Sequence, residues 1–138
     1  MRPLWYITVA VGLGGVCYQA TKNWQFSLTC ASAEVLMDLD HVFDHFIWSK
    51  HPLSLRKFLS SCNTFTWPRI VLLFHSYELI LLLGIISWYF NLFFGYAITL
   101  GAIVHIILDE FGNRHLKLPR KIVPAFYFIS YRLKKGFV

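Results

Sequence analysis

Residues 24–48, WQFSLTCASAEVLMDLDHVFDHFIW, are long enough to cross a bilayer as one helix, yet their second half carries Glu34, Asp38, Asp40, His41, Asp44 and His45. Ionisable groups are costly in hydrocarbon and are kept there for function. At about 100° per residue, Glu34, Asp38, His41 and His45 follow one another in steps of 4, 3 and 4 and line one helical face, with Asp40 and Asp44 on a neighbouring face. A face of this kind calls for a cation.

The surrounding chain says which solvent that helix meets. Of 138 residues, 57% are hydrophobic and only 14% charged, with a mean hydropathy of +0.53; a soluble domain has about a quarter of its residues charged. Three further apolar runs, residues 4–21, 69–90 and 92–111, are each close to the roughly 20 residues a bilayer needs. The expectation is therefore an all-α integral membrane protein: one domain over 1–138, four transmembrane helices at about 4–21, 24–48, 69–90 and 92–111, and a tail from 113 to 138. A cleavable signal is not expected at residues 4–21, because Tyr18 spoils a small-residue cleavage site and Val16 before Cys17 spoils a lipoprotein one.

All five Trp (Trp5, Trp24, Trp48, Trp67 and Trp88) fall at expected span ends, where an interfacial belt puts them. Between spans 2 and 3, LSLRKFL after Pro52 reads as a short interfacial helix. The tail mixes Arg120, Lys121, Arg132, Lys134 and Lys135 with Phe126, Tyr127, Phe128 and Tyr131, and reads as a basic amphipathic segment on an anionic leaflet rather than a nucleic-acid site. Four spans put both termini on the side that holds twelve of the thirteen bases, so the positive-inside rule makes both termini cytoplasmic. The cysteines Cys17, Cys30 and Cys62 form no metal or disulfide spacing and read as reduced, buried residues.

The seven acids all lie in or at the end of apolar runs, and no Lys or Arg sits inside a run to pair with them. Protons, metal ions or histidines must do so. With this topology, Asp38 to His45, His75 with Glu78, and His105 with Asp109 come to a similar depth near the cytoplasmic face. His75 and Glu78 are three residues apart and His105 and Asp109 four, so each pair shares a face. Three or four His with Asp and Glu suit a divalent first-row metal, zinc first and Mn or Fe as alternatives, as one ion or two. Asp40 and Asp44 read as groups that orient a histidine, His45 as a ligand or a residue at the cytoplasmic mouth, Glu110 as a solvated helix-end carboxylate, and His51 and His115 as surface residues. Gly101, one turn before His105, is expected to let its helix approach a neighbour closely. No phosphate-cradling glycine loop, nucleophile elbow or zinc-finger spacing is present.

Asp38-Leu39-Asp40-His41, His75-Ser76 and Gly101-x-x-x-His105-x-x-x-Asp109 resemble the DxDH, HS and GxxxHxxxD signatures of the YdjM-like family of LexA-binding, inner-membrane-associated metal-dependent hydrolases. The resemblance covers roughly residues 30–115. The HxxxD element also resembles that of zinc-dependent phospholipases C. Two departures stand out: members of the family carry a further His in the first helix, which this chain lacks, and an HRGxTHS element where it reads WPRIVLLFHS. Glu34, His45 or Glu78 could replace that histidine, or one metal position could be lost.

The resemblance implies a hydrolase of the bacterial inner membrane. Asp38, His41, His75, His105 and Asp109 would hold the metal, Glu78 or Asp40 would act as general base, and Arg69, Arg114, Lys117 and Arg120 would hold a substrate phosphate. The substrate expected is a membrane lipid or a lipid-linked phosphoester at the cytoplasmic leaflet. Two other functions fit the same residues: a metal-ion or proton transporter or channel, and a non-catalytic subunit with a structural metal. The oligomeric state is left open.

Overall fold

The computed structural model describes residues 3–50, 53–64, 69–113 and 123–137. These form seven α-helices and one 3₁₀ turn, with no strand among the described residues: α1 (Pro3–Thr21), α2 (Trp24–Leu36), α3 (Leu39–Trp48), α4 (Leu55–Thr64), α5 (Tyr77–Tyr89), α6 (Phe93–Asn113), the turn Pro124–Tyr127 and α7 (Ile129–Lys134). The helix expected after Pro52 is α4. Among the described residues one helix, over Phe93–Gly112, is long and apolar enough to cross a membrane, and Tyr77–Tyr89 is a shorter apolar helix.

Helices α1, α2, α5 and α6 pack through small residues. The Asn23 side chain caps α2 by accepting from Phe26 N at 3.0 Å, so α1 and α2 turn back on each other within two residues. Cys17, Cys30 and Ala97 form the buried contact of α1, α2 and α6, with the two sulfurs 3.6 Å apart. At Gly101, α6 passes close against the backbone of α2. A Cβ there would collide with the Cys30 carbonyl oxygen and stand 3.1 Å from Glu34 N. Gly101→Val should therefore cost about 1–3 kcal/mol by overpacking, and it should also separate Glu34 from His105. Denaturation in detergent micelles checks the first effect, and no loss of stability would show that the two helices are not in contact.

Three sequence expectations change. Residues 24–48 are not one helix: α2 ends at Leu36 and α3 begins at Leu39. Met37 and Asp38 keep helical φ values of −54° and −68°, but at the joint His41 N bonds back only three residues, to Asp38 O at 3.1 Å. The polar residues expected on a single face are therefore divided between two helices and the joint that separates them.

The second change concerns residues 69–90, of which only Tyr77–Tyr89 is helical. In the non-helical leg before it, four amides bond to carboxylates, and His75 N also bonds back to Leu72 O at 3.2 Å. Asp44 Oδ2 accepts from Val71 N and Leu72 N at 2.8 and 3.1 Å, and Asp40 Oδ2 accepts from Phe74 N and His75 N at 2.9 and 3.3 Å. Leu72 takes a positive φ of 41° in this leg. The Ser76 side chain then starts α5 by accepting from Leu79 N at 3.5 Å.

The third change is the tail. In its described part, Phe126, Tyr127 and Arg132 are buried, so it is folded against the other helices rather than laid out as a separate surface helix. Arg132 Nη1 donates to the carbonyls of His75 (2.8 Å) and Phe126 (3.1 Å), and Nη2 to that of Leu72 (2.9 Å). A base from the tail therefore enters the acid-rich interior, which inspection of the apolar runs alone had excluded. Burial draws the guanidinium pKa down, and the charges of Asp40, Glu78 and Asp44 oppose that shift. Phe137 O accepts from Ile70 N at 2.7 Å, and Phe126, Ile70 and Leu72 share an apolar cluster with Phe58 and Phe137.

Ionisable residues share the interior with the apolar core, and large apolar residues lie on the outside. Buried positions include Glu34, Asp40, His41, Asp44, His45, His75, His105, Asp109 and Arg132, while Val11, Phe46, Ile47, Leu81, Trp88 and Phe111 are exposed.

Candidate metal centre

α6 contributes His105 and Asp109, one turn apart and both buried, as their spacing requires. The α2–α3 joint contributes Asp38, the first turns of α3 contribute His41, and the non-helical leg contributes His75. One ligand atom from each residue of Asp38, His41 and His75, and one from each of His75, His105 and Asp109, lie within 4.8 Å of one another.

The individual separations match a coordination shell. His75 Nε2 is 3.1 Å from His105 Nε2, 3.5 Å from Asp109 Oδ2 and 3.9 Å from Asp38 Oδ1. Asp38 Oδ1 is 3.6 Å from both His41 Nε2 and His105 Nε2. Ligands about 2.05 Å from a tetrahedral zinc ion stand about 3.3 Å apart. Both groups close on the same atom, His75 Nε2, whose single lone pair binds one ion. The arrangement therefore fits one ion better than two.

Buried polar atoms in and beside the cluster support the fit. Among the described residues, Asp38 Oδ1, both carboxylate oxygens of Glu34 and His105 Nδ1 have no hydrogen-bond partner, a costly state unless a cation or proton compensates. Glu34 Oε1 lies 3.8 Å from His105 Nδ1, behind the ring rather than on its cluster side.

Outer groups set the ligands. Asp40 Oδ2 lies 3.0 Å from His75 Nδ1, so a proton held there leaves Nε2 with its lone pair for a metal. Asp109 Oδ1 accepts a hydrogen bond from the Tyr6 hydroxyl, which leaves Oδ2 for the cluster. The Tyr6 ring also stacks on His105, with centroids 5.0 Å apart and planes at 26°. Helix α1, which has no histidine, thus supplies a tyrosine that touches two candidate ligands. Reading the run for ionisable residues passed over Tyr6; its depth near the start of α1, opposite Asp109 near the end of α6, was the signal for it. Tyr6→Phe should keep the stacking, lose the bond to Asp109 and weaken metal binding about 10- to 100-fold. Metal-buffer titration checks this, and unchanged affinity would show the contact to be incidental.

Other expected site residues lie elsewhere. Glu78 is not among the converging ligands; its carboxylate accepts from Ile129 N, Ser130 N, Ser130 Oγ and Ser76 Oγ at 2.7–3.1 Å and ties α5 to α7. His75 precedes α5 and Glu78 lies in its first turn, so the two do not share a helical face. Asp44 serves the amides of Val71 and Leu72, and the His45 ring packs edge-on against Phe58. Arg69 lies over the Trp48 ring at 5.0 Å. Glu110 accepts from the Tyr77 hydroxyl at 3.0 Å. Arg114, Lys117, Arg120, His51, His115 and Trp67 lie outside the described residues.

The chain matches no family model, no curated protein and no solved structure.

Proposed function

We propose that this chain is a four-span protein of the bacterial inner membrane, with both termini cytoplasmic, and that its buried cluster is the centre of a metal-dependent hydrolase acting on a lipid phosphoester at the cytoplasmic leaflet. The observation that carries this reading is the convergence of His41, His75, His105, Asp38 and Asp109 within helices whose outer faces are apolar. Polar residues inside and apolar residues outside suit a lipid solvent. The non-helical leg of the third span fits as well, since irregular backbone is tolerated at membrane depth where protein groups satisfy it. Here Asp40, Asp44 and Arg132 do so. The resemblance of the DxDH, HS and GxxxHxxxD elements to the YdjM-like family points to the same chemistry.

Asp38, His41, His75, His105 and Asp109 would hold one divalent ion, zinc first, which when bound would lower the pKa of water and polarise the scissile group. Asp40 holds the proton on His75 Nδ1, and Tyr6 orients Asp109. Asp38, with 34% of its side chain exposed, is the cluster carboxylate that a substrate can reach. The proton of the attacking water passes to Asp38 Oδ2, since Oδ1 is the oxygen that faces the cluster, as the water oxygen bonds to phosphorus. The phosphorus–oxygen bond to the alcohol then breaks, and the proton passes to the departing alkoxide. Asp38 takes the role expected of Glu78 or Asp40: the Glu78 oxygens are occupied by Ser76, Ile129 and Ser130, and Asp40 Oδ2 is engaged by Phe74 N and His75. Anionic headgroups find bases at Arg56, Lys57, Arg69, Lys134 and Lys135.

Metal-loaded protein reconstituted in vesicles should hydrolyse at least one phospholipid or lipid-linked phosphate in a headgroup panel, and Asp38→Asn should slow it at least about 100-fold. Metal-loaded protein that hydrolyses nothing in the panel would overturn the enzyme reading. Ion flux by the same vesicles would instead support a transporter.

A further inference from the structure

Two buried polar groups beside the cluster have no hydrogen-bond partner among the described residues, and their free atoms lie close together. Glu34 and His105 are both fully buried; neither carboxylate oxygen of Glu34 is bonded, and neither is His105 Nδ1. Glu34 Oε1 and His105 Nδ1 are 3.8 Å apart. An ionised carboxylate only accepts, and an imidazole nitrogen that carries its proton donates, so each group supplies what the other lacks. The helix packing holds them there. Gly101 lies one turn before His105 on α6, and a Cβ at that position would stand 3.1 Å from Glu34 N. The far side of the His105 ring belongs to the cluster, with Nε2 3.1 Å from His75 Nε2 and 3.6 Å from Asp38 Oδ1.

We infer that Glu34 is a positioning residue for His105: its carboxylate accepts the Nδ1 proton and leaves Nε2 with the lone pair for the metal. The inference rests on the reading of the cluster as a metal centre. Glu34 is in neither set of converging ligand atoms, and its approach to the ring from the Nδ1 side separates it from the role of a ligand replacing the histidine that α1 lacks. The gap is roughly 0.8 Å longer than an ordinary N–H···O bond, a distance that the broad terminal torsion of a glutamate covers. His75 provides the pattern within the same cluster, since Asp40 Oδ2 lies 3.0 Å from its Nδ1 while its Nε2 meets the other ligands. With Glu34 in this role, each of the two imidazoles in contact through Nε2 has a carboxylate behind it, one from α2 and one from α3. A charged acceptor on Nδ1 fixes the ring and makes Nε2 a stronger donor to a metal. It also gives a partner to an acid that would be costly to bury alone.

The test uses the full chain in detergent micelles, with its histidines labelled with nitrogen-15 and with zinc added. Long-range proton–nitrogen NMR correlations report which nitrogen of each ring holds the proton, and a His105→Ala sample identifies the His105 signals. His105 should carry its proton on Nδ1, and that proton should resonate downfield, as a donor to a carboxylate does. Glu34→Gln, which keeps the shape but not the charge, should move this proton upfield and weaken zinc binding about 10- to 100-fold in metal buffers. A loss of stability in Glu34→Gln with the His105 proton unmoved would make Glu34 a packing residue and overturn the inference. Zinc bound through His105 Nδ1 in the wild-type protein would overturn it as well. If Glu34→Gln does not fold, the wild-type spectrum still decides, through the tautomer and proton shift of His105. Folded wild-type protein that takes up no zinc overturns the metal centre and this inference with it; zinc affinity within about threefold of wild type in Glu34→Gln overturns the inference alone.

Discussion

His75→Ala should abolish stoichiometric metal binding, lowering affinity by more than about 100-fold, the upper end of what loss of an outer-shell partner costs. The effect should exceed that of any other single cluster substitution, because His75 Nε2 belongs to both sets of converging atoms. It also removes the imidazole that Asp40 orients. Two variants separate the roles. Asp40→Asn keeps every direct ligand but cannot hold the His75 tautomer as a carboxylate does, and should weaken binding about 10- to 100-fold. Glu78→Gln should leave affinity within about threefold of wild type, since Glu78 is engaged with Ile129 and Ser130 and is not among the converging ligands. Equal losses in Asp40→Asn and Glu78→Gln, measured in metal buffers, would contradict the assignment of outer groups.

The largest effect on stability is expected at Arg132. Arg132→Met keeps much of the volume but strips the partner from the carbonyls of Leu72, His75 and Phe126, and removes the guanidinium charge that acts on Asp40 and Asp44. Unsatisfied buried acceptors and uncompensated buried charges make a loss of about 3–5 kcal/mol reasonable. Arg132→Lys should recover only part of it, because an ammonium lacks the planar fork that spans these carbonyls. Metal should be lost along with stability, since Arg132 holds the leg that carries His75. Urea or thermal denaturation in detergent measures the first effect and metal analysis the second. An Arg132→Met protein as stable as wild type would show that the tail is not a clasp.

These expectations fall unevenly between what residue patterns reveal and what only packing reveals. The spacing of His105 and Asp109 on an apolar helix is readable as a shared face, and α6 presents them so. Asp38, His41 and His75 were picked out by their residue types and by a depth argument. Depth survives moderate error in helix ends, so the group was legible even though α2 and α3 are separate helices and His75 is not helical. The break at residues 69–76 was not legible. Ile70, Val71, Leu72, Leu73 and Phe74 make a continuous apolar run, and periodicity cannot separate helix from extended backbone there. What decides it is where the amides find acceptors, and those are Asp40 and Asp44, 27 to 35 positions earlier in the chain. Arg132 was hidden for a related reason: a basic residue in an aromatic tail reads as a surface anchor until its three carbonyl partners are seen. Glu78 had a plausible chemistry and a plausible depth, but the tail uses its oxygens.

The account turns on the cluster holding a metal ion. X-ray absorption spectroscopy with elemental analysis on the purified full-length chain, extracted without chelators, tests this most directly. The prediction is about one divalent first-row ion per chain, bound by nitrogen and oxygen ligands with no sulfur in the first shell. The imidazole scattering should diminish in His105→Ala. A folded protein that contains no such ion and takes none up from metal buffers would contradict it.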